Sequence, residues 1–300
     1  MYVVLGASGN TGHIVANSLL AKGKKVRVVG RNATHLQPFA AQGAEVLIGD
    51  LTDISALNKA FQKADSAYVM IPSNPASRDP LGHQERVTDN IAAAVKSAGI
   101  KNVVVLSSIG ADKSSGTGPV IALHNFEQKL DRITSANVLF LRAAYFMENT
   151  LAQAAIIRMM GSSAGPLRPD LKIPMIASRD IGTAAADALL KLSFRGKQTK
   201  ELLGHRDLNY NEVVAIIGKA IGMPELKYIQ APNDQIRAGM VQSGMSDQVA
   251  RLLLEMAEAL NSGYMQALEP RTPDNTTPTS YETFVAERFV PVYQQQQAAA

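Results

Sequence analysis

The 300-residue sequence predicts an α/β protein, a doubly wound parallel sheet followed by a smaller and mainly helical lobe. Three observations carry that prediction. Short apolar or β-prone runs alternate with longer segments of helical periodicity through residue 150 or so. Glycines fall at Gly6, Gly9 and Gly12, between the first run and the first helical segment. The run 102–106 is apolar on both faces, as a strand covered by helices on both sides must be.

The first strand is Tyr2–Leu5. After the glycines comes a helix with Ile14, Val15, Leu19 and Leu20 inward, stopped at Gly23 after Lys22. Strand, glycine turn and helix in that order build a phosphate site. Gly6 permits the turn, and without Cβ atoms the backbone can approach a pyrophosphate. Gly12 lets the helix pack closely on the strand, and the helix N-terminus offers unpaired N–H groups with a partial positive charge. The spacing is G-x-x-G-x-x-G; the strand before it and the helix after it separate it from an ordinary glycine loop. Gly6, Ser8, Gly9, Asn10, Thr11 and Gly12 are therefore candidate dinucleotide-binding residues.

The second strand, Lys25–Val29, runs into Gly30 and Arg31. An acidic residue about 20 positions after the glycines would accept hydrogen bonds from the ribose hydroxyls of NAD. Arg31 holds that place instead. A guanidinium there can bind a 2′-phosphate and stack on adenine, which favours NADP(H) over NAD(H). A helix over 33–42 leads to a third strand, Ala44–Ile48, closed by GDLTD at 49–53. Asp53 is placed to cap the next helix, with Leu57 and Phe61 inward, while Asp50 and Leu51 border the adenine. The fourth strand, Ser66–Ile71, points its carboxyl end at the crevice, which adds Ile71 and Pro72 to the cofactor residues. A loop to Pro80, a helix over 81–98 and a fifth strand over 102–106 follow, the strand ending in Ser107 and Ser108. A polar loop, 111–118, precedes a helix with Val120, Leu123, Phe126 and Leu130 inward, and a sixth strand is Val138–Leu141.

Past residue 150 the rhythm changes. A helix over 152–160 leads to a Gly/Pro/Ser-rich loop, 161–174, expected on the substrate side. Ser178 or Asp180 caps a helix to Leu192, which packs back on the sheet. A short strand near 201–203 and a helix with Val213, Ile216, Ile217 and Ile221 come next. Two helices near 234–242 and 247–261 carry methionines, read as core. An amphipathic helix over 281–289 precedes a low-complexity, frayed tail, 294–300. The expected division is a nucleotide-binding domain over 1–150 and a substrate or partner lobe over 151–300.

Composition narrows the functional classes. With 46% hydrophobic and 19% charged residues the chain is globular. The absence of cysteine excludes disulfides, thiolate zinc sites and thiol catalysis, and fits a reducing compartment. A strand starting at Tyr2 leaves no room for a signal peptide, and no apolar run approaches a membrane span. A net charge of +4 with scattered basic residues argues against a nucleic-acid surface. His13, His35, His83 and His205 lack partners at metal-ligand spacing, so no metal is expected. The expectation is a cytoplasmic monomer or homodimer acting on a small molecule.

Taken together, GASGNTG at 6–12, Arg31, GDLTD at 49–53, LSSIGA at 106–111, RAAYFMEN at 142–149 and IASRDIG at 176–182 resemble the NmrA-like family. This family is an atypical branch of the short-chain dehydrogenases/reductases. The resemblance spans nearly the whole chain and is strongest to the bacterial NAD(P)H:quinone oxidoreductase type. It implies a Rossmann fold and a nicotinamide cofactor. The superfamily's usual catalytic set is a Ser with Tyr-x-x-x-Lys, whose phenol protonates the carbonyl oxygen. Counting back from Arg142 puts Val120 at the Tyr position and His124 at the Lys position. Lys129 and Glu127 are expected on other faces of that helix. An ordinary carbonyl reductase or sugar-nucleotide epimerase mechanism is therefore disfavoured. One surviving reading is a reductase of a quinone-like or small conjugated carbonyl acceptor, which needs little acid catalysis. There His124 would hold the nicotinamide ribose or lend a proton, and Ser108 and Tyr145 would orient the acceptor. The other reading is a non-catalytic, NAD(P)-binding redox-sensing regulator with a protein partner.

Overall fold

The structure, a computed structural model, describes residues 1–298. In chain order, β1 (Tyr2–Leu5), α1 (Asn10–Ala21), β2 (Val26–Gly30), α2 (Ala33–Ala40), β3 (Glu45–Ile48), α3 (Ile54–Phe61), β4 (Ser66–Val69), α4 (Pro80–Ala98), β5 (Asn102–Ser108), α5 (Ile121–Asp131) and β6 (Asn137–Ala143) alternate strictly. Then come β7 (Tyr145–Phe146), α6 (Gln153–Met160), β8 (Ser163–Gly165), β9 (Ile173–Ile176), α7 (Ser178–Lys191), β10 (Lys197–Leu202), β11 (Arg206–Leu208), α8 (Tyr210–Ile221) and β12 (Tyr228–Gln230). The chain closes with α9 (Asn233–Gln242), α10 (Asp247–Asn261), α11 (Tyr281–Phe284) and α12 (Val290–Ala298).

The main sheet has seven parallel strands in the order β10-β6-β5-β4-β1-β2-β3. The doubly wound fold is as predicted, with one strand more than the six read from the alternation. β10 pairs with β6 from Lys197 to Leu202, longer than the strand expected near 201–203. Strand order reverses between β1 and β4, so the loops leaving these neighbours diverge and open a crevice at their carboxyl ends.

Strand side chains alternate between two cores. Val4, Val28 and Val104 face one cluster with Val15 and Leu19 of α1 and Ile181 and Leu189 of α7. Val3, Leu5, Val103 and Val105 face the other, with Phe61 of α3, Ile91 of α4 and Phe126 of α5. The first cluster continues without a break into Val213, Ile217, Tyr281 and Phe284. The later elements therefore share a core with the α1 side of the sheet.

Close contact between α1 and α7 needs a glycine. A Cβ on Gly182 would lie 2.6 Å from the Ile14 Cβ and 2.8 Å from the Thr11 carbonyl oxygen. Ser178 and Asp180 do not cap α7. Its N-cap is Ala177, without a side-chain bond. Ser178 binds the Glu148 carboxylate through its N–H and its hydroxyl. Asp180 accepts from the Thr279 N–H and hydroxyl. Both were drawn away by tertiary partners that local sequence cannot reveal. Asp53 does cap α3, accepting from the Ser55 N–H at 2.8 Å.

The segment 161–174 is not wholly loop. β8 pairs with β12, and β9 lies between β11 and β7 in a small three-stranded sheet. The final helix reaches Ala298, which corrects the frayed tail expected from residue 294; residues 299–300 lie outside the described residues. No helix among the described residues is long and apolar enough to cross a membrane.

Candidate functional site

The crevice at the sheet's switch point opens into a cavity of about 880 Å³. Its first end is built by the glycine turn. The Gly9 N–H bonds the Gly6 carbonyl at 2.9 Å, and Gly6 sits at φ +66°, a conformation that strains any side chain. A Cβ on Gly12 would lie 2.3 Å from the Gly6 carbonyl oxygen, so helix and strand meet through this glycine. α1 starts with no side-chain cap and no acidic residue in its first turn. Its leading N–H groups are thus left for an anionic ligand. Tyr68 of β4, fully buried, donates to the Thr11 hydroxyl at 2.8 Å and ties this turn to the neighbouring strand.

Gly6, Ser8, Gly9, Asn10 and Thr11 line the cavity, as do Arg31, Asp50, Leu51, Ile71 and Pro72. Arg31 is exposed at the end of β2. Asp50 accepts from the Thr52 N–H at 2.8 Å and hydroxyl at 2.7 Å. The Thr52 backbone bond is the largest influence holding its carboxyl below the usual range, with Arg31 and His83 adding smaller favourable fields.

Gly12 and His124 do not line the cavity. Gly12 is buried behind the turn. The wall here is formed by Val120, just before α5, and by Leu123 on it, one position before the expected histidine. His124 points instead to the Ala111 carbonyl oxygen, 2.8 Å from its Nδ1. A carbonyl only accepts, so Nδ1 carries the proton in this pairing.

The expectation for Glu127 is corrected. It shares the inner face of α5 and is 6% exposed. It accepts from the Ser107 hydroxyl at 2.5 Å and from both Nε and Nη2 of Arg142, at 3.1 and 2.7 Å. At 3.6 residues per turn, positions 120, 123, 124 and 127 fall along one stripe. The buried pair fixes the carboxyl ends of β5 and β6 beneath the cavity. Lys129 does face away, reaching Glu85 and Thr88 on α4.

The second end of the cavity is lined by Ser108, Tyr145 and Phe146, by Leu171–Pro174, and by Met256, Leu260 and Met265. Its ionic side chains, Lys172 and Asp207, are paired with Glu212 and Arg271. The Tyr145 and Tyr210 hydroxyls are 3.0 Å apart. Burial pushes both phenols above the ordinary tyrosine value. The segment carrying Met265 is held by Glu201 of β10, which is 2% exposed and accepts the Leu268 and Glu269 N–H groups. Met265 rests on Gly110, where a Cβ would fall 2.6 Å from its Cγ.

Sequence reasoning missed His83 and Gln84 of α4, Asp207 and the methionine wall, while Lys172 falls in the 161–174 segment expected on the substrate side. The two α4 residues follow directly on the Pro-rich loop at the crevice, the one signal that could have found them. The methionines have no such signal, because core and cavity methionines look alike in sequence.

The residues fit a nicotinamide dinucleotide. The glycine cradle leaves no room for a Cβ at Gly12, α1 has no side-chain cap, and Arg31 lines the same cavity, where they would meet the anionic groups of the dinucleotide. The family model for the NmrA-like family matches residues 2–286. Among solved structures, the chain is similar to an NADPH-dependent quinone oxidoreductase of Escherichia coli, at 25% identity and a TM-score of 0.77, covering 96% of this chain and 100% of that one. It also resembles a triphenylmethane reductase of Citrobacter sp., at 18% identity and a TM-score of 0.78, over 97% of this chain and 99% of that one. In sequence it is 25% identical over 279 residues to a (4-alkanoyl-5-oxo-2,5-dihydrofuran-3-yl)methyl phosphate reductase of Streptomyces griseus, covering 92% of this chain and 93% of the relative. The chain belongs to the NmrA-like family.

Proposed function

We propose that this chain is an NADPH-dependent oxidoreductase that passes hydride to a neutral quinone or a similar conjugated carbonyl compound. The observation that carries the reading is the continuity of one cavity from the glycine turn to an apolar compartment lined by Met256, Leu260 and Met265. The solved quinone oxidoreductase supports it through a likeness that covers nearly the whole chain.

The cofactor supplies hydride when bound, and the protein holds both partners and manages the proton. The α1 N-terminus and the glycine backbone would hold the pyrophosphate. Arg31 favours the 2′-phosphorylated cofactor through charge-assisted bonds. Ser108 and Tyr145 line the cavity where the acceptor's oxygen would be oriented. Tyr145 is a phenol that burial raises further above its ordinary value, so at neutral pH it serves as a hydrogen-bond donor and not as a base. Val120 occupies the place of the superfamily's acid. That suits an acceptor whose reduced oxyanion is stable enough to take its proton from water or a weak donor. His124 acts at one remove, positioning the loop after β5 through the Ala111 carbonyl. The paired charges of Lys172 and Asp207 leave no uncompensated ion at the acceptor end, which favours an uncharged ring.

The test is to mix purified protein with NADPH and a panel of quinones and follow the reduced-nicotinamide absorbance. Loss that depends on the acceptor is expected. Tight NADPH binding with no turnover on any acceptor would sink the enzyme reading.

A further inference from the structure

Tyr210 is the first residue of α8, where a capping box of Asn209 and Glu212 fixes the start of the helix. It is 5% exposed and does not line the cavity. Its ring packs against Tyr228, with centroids 4.6 Å apart. The Tyr228 hydroxyl donates to the Leu167 carbonyl, 2.9 Å away. Among the described residues the Tyr210 hydroxyl makes one hydrogen bond, with the Tyr145 hydroxyl at 3.0 Å. A buried O–H without an acceptor costs folding free energy, so the Tyr210 proton goes to the one oxygen within its reach, Tyr145 Oη. A phenol carries one proton, and that of Tyr145 is therefore directed elsewhere. Tyr145 lines the cavity beside Asn149, which is exposed and close enough to favour the ionised form of the same hydroxyl by hydrogen bonding. Oη thus sits between a buried donor and an amide on the cavity wall. Ser107 and Ser108, the neighbouring hydroxyls of that wall, already donate to Glu127 and to the Ile109 carbonyl. Among these three, Tyr145 keeps its proton for a ligand.

We infer that Tyr210 is a positioning residue for the acceptor: by donating to Tyr145 it leaves the Tyr145 proton free for the acceptor's oxygen. This deepens the reductase reading and rests on it. As the acceptor takes hydride from NADPH it is reduced, NADP⁺ is left, and negative charge collects on the acceptor's oxygen. A hydrogen bond from Tyr145 is stronger to that oxyanion than to the carbonyl it came from. The bond accepted from Tyr210 polarises the Tyr145 O–H and strengthens its donation further.

Tyr210→Phe keeps the ring and removes the donor, whereas Tyr145→Phe removes the group it serves. The assay uses NADPH with the fastest acceptor among 1,4-benzoquinone, 1,4-naphthoquinone and their methyl derivatives. Tyr145→Phe should lower kcat about tenfold and Tyr210→Phe about three- to fivefold, with NADPH Kd within about twofold of wild type in both. Adding Tyr210→Phe to Tyr145→Phe should lower kcat no further, since Tyr210 acts only through Tyr145. An equal loss in both backgrounds, or no loss from Tyr210→Phe alone, would overturn the inference. A Tyr210→Phe chain that no longer binds NADPH would make Tyr210 a structural residue, and the inference falls again. If the wild type reduces none of these quinones, the reductase reading fails and takes the inference with it.

Discussion

The two ends of the cavity are made of different material. At the cofactor end the working parts are backbone: the Gly6–Gly9 turn, the uncapped N-terminus of α1 and the exits of β1 and β4. They belong to short contiguous stretches around β1 and β4, strands at the middle of the sheet that are buried on both faces. At the acceptor end the working parts are side chains from β7, the 171–174 segment, α10 and the strap after it. No sheet carries that end as a whole. It is assembled by buried carboxylates that clamp passing backbone, Glu201 on 268–269 and Asp180 on Thr279. A backbone-built site is rigid and tolerates one ligand shape. A side-chain-built site held by a few polar clamps can change its wall without disturbing its neighbour.

Four experiments would break or sharpen that contrast. The largest effect should come from Gly12→Val. Its Cβ would meet the Gly6 carbonyl, which no side-chain rotation relieves. NADPH affinity should fall by about a hundredfold or more, with about 1–3 kcal/mol lost in stability. Titration and a thermal melt check both, and near-normal binding would show that the turn is softer than its geometry implies. Next comes Glu201→Gln, which weakens charge-assisted bonds of about 1.5–3 kcal/mol. It should raise KM for the quinone about tenfold while NADPH Kd stays within about twofold. If both constants moved together, the two ends would not be separable. Arg31→Ala should weaken NADPH by about five- to tenfold and leave NADH nearly unchanged. Equal losses for both would remove the 2′-phosphate assignment.

The smallest effect at neutral pH concerns the tyrosines behind the acceptor end. Burial raises Tyr145, Tyr210, Tyr228 and Tyr281 in the folded chain. Below the unfolded value of about 10 both states hold these protons and stability is at its full value. As pH climbs past about 10 the unfolded chain ionises first, so stability is lost progressively. Tm should be flat with respect to these groups from about pH 7 to 9 and fall above about 10. A melt series by circular dichroism checks this. A Tm that held steady past about pH 11 would mean that the cluster is wetter than its burial indicates.

Much of the fold is legible in the sequence. Asp53 capping α3 and the alternation through β6 follow from neighbours in sequence. The misreadings share one cause. Ser178 and Asp180 look like caps locally, yet Glu148 and Thr279 claim them from 30 and 99 residues away. His124 is expected at the site and Glu127 on another face of α5, but the helix's rotation gives the wall to Leu123 and the buried pair to Glu127. A shift of one residue on a helix turns a side chain by about 100°, finer than counting along the chain resolves.

By itself, then, the sequence determined the sheet, the glycine turn and the residues that leave β1 through β4. Those features depend on short-range rules: periodicity, caps, and the missing Cβ atoms at Gly6 and Gly12. Only the tertiary structure decided that Glu127 lies under the cavity, and that methionines from α10 and the strap form the acceptor compartment. These depend on which distant segments meet. Burial and hydrogen-bond satisfaction settle that over the whole chain at once, and no local stretch encodes it.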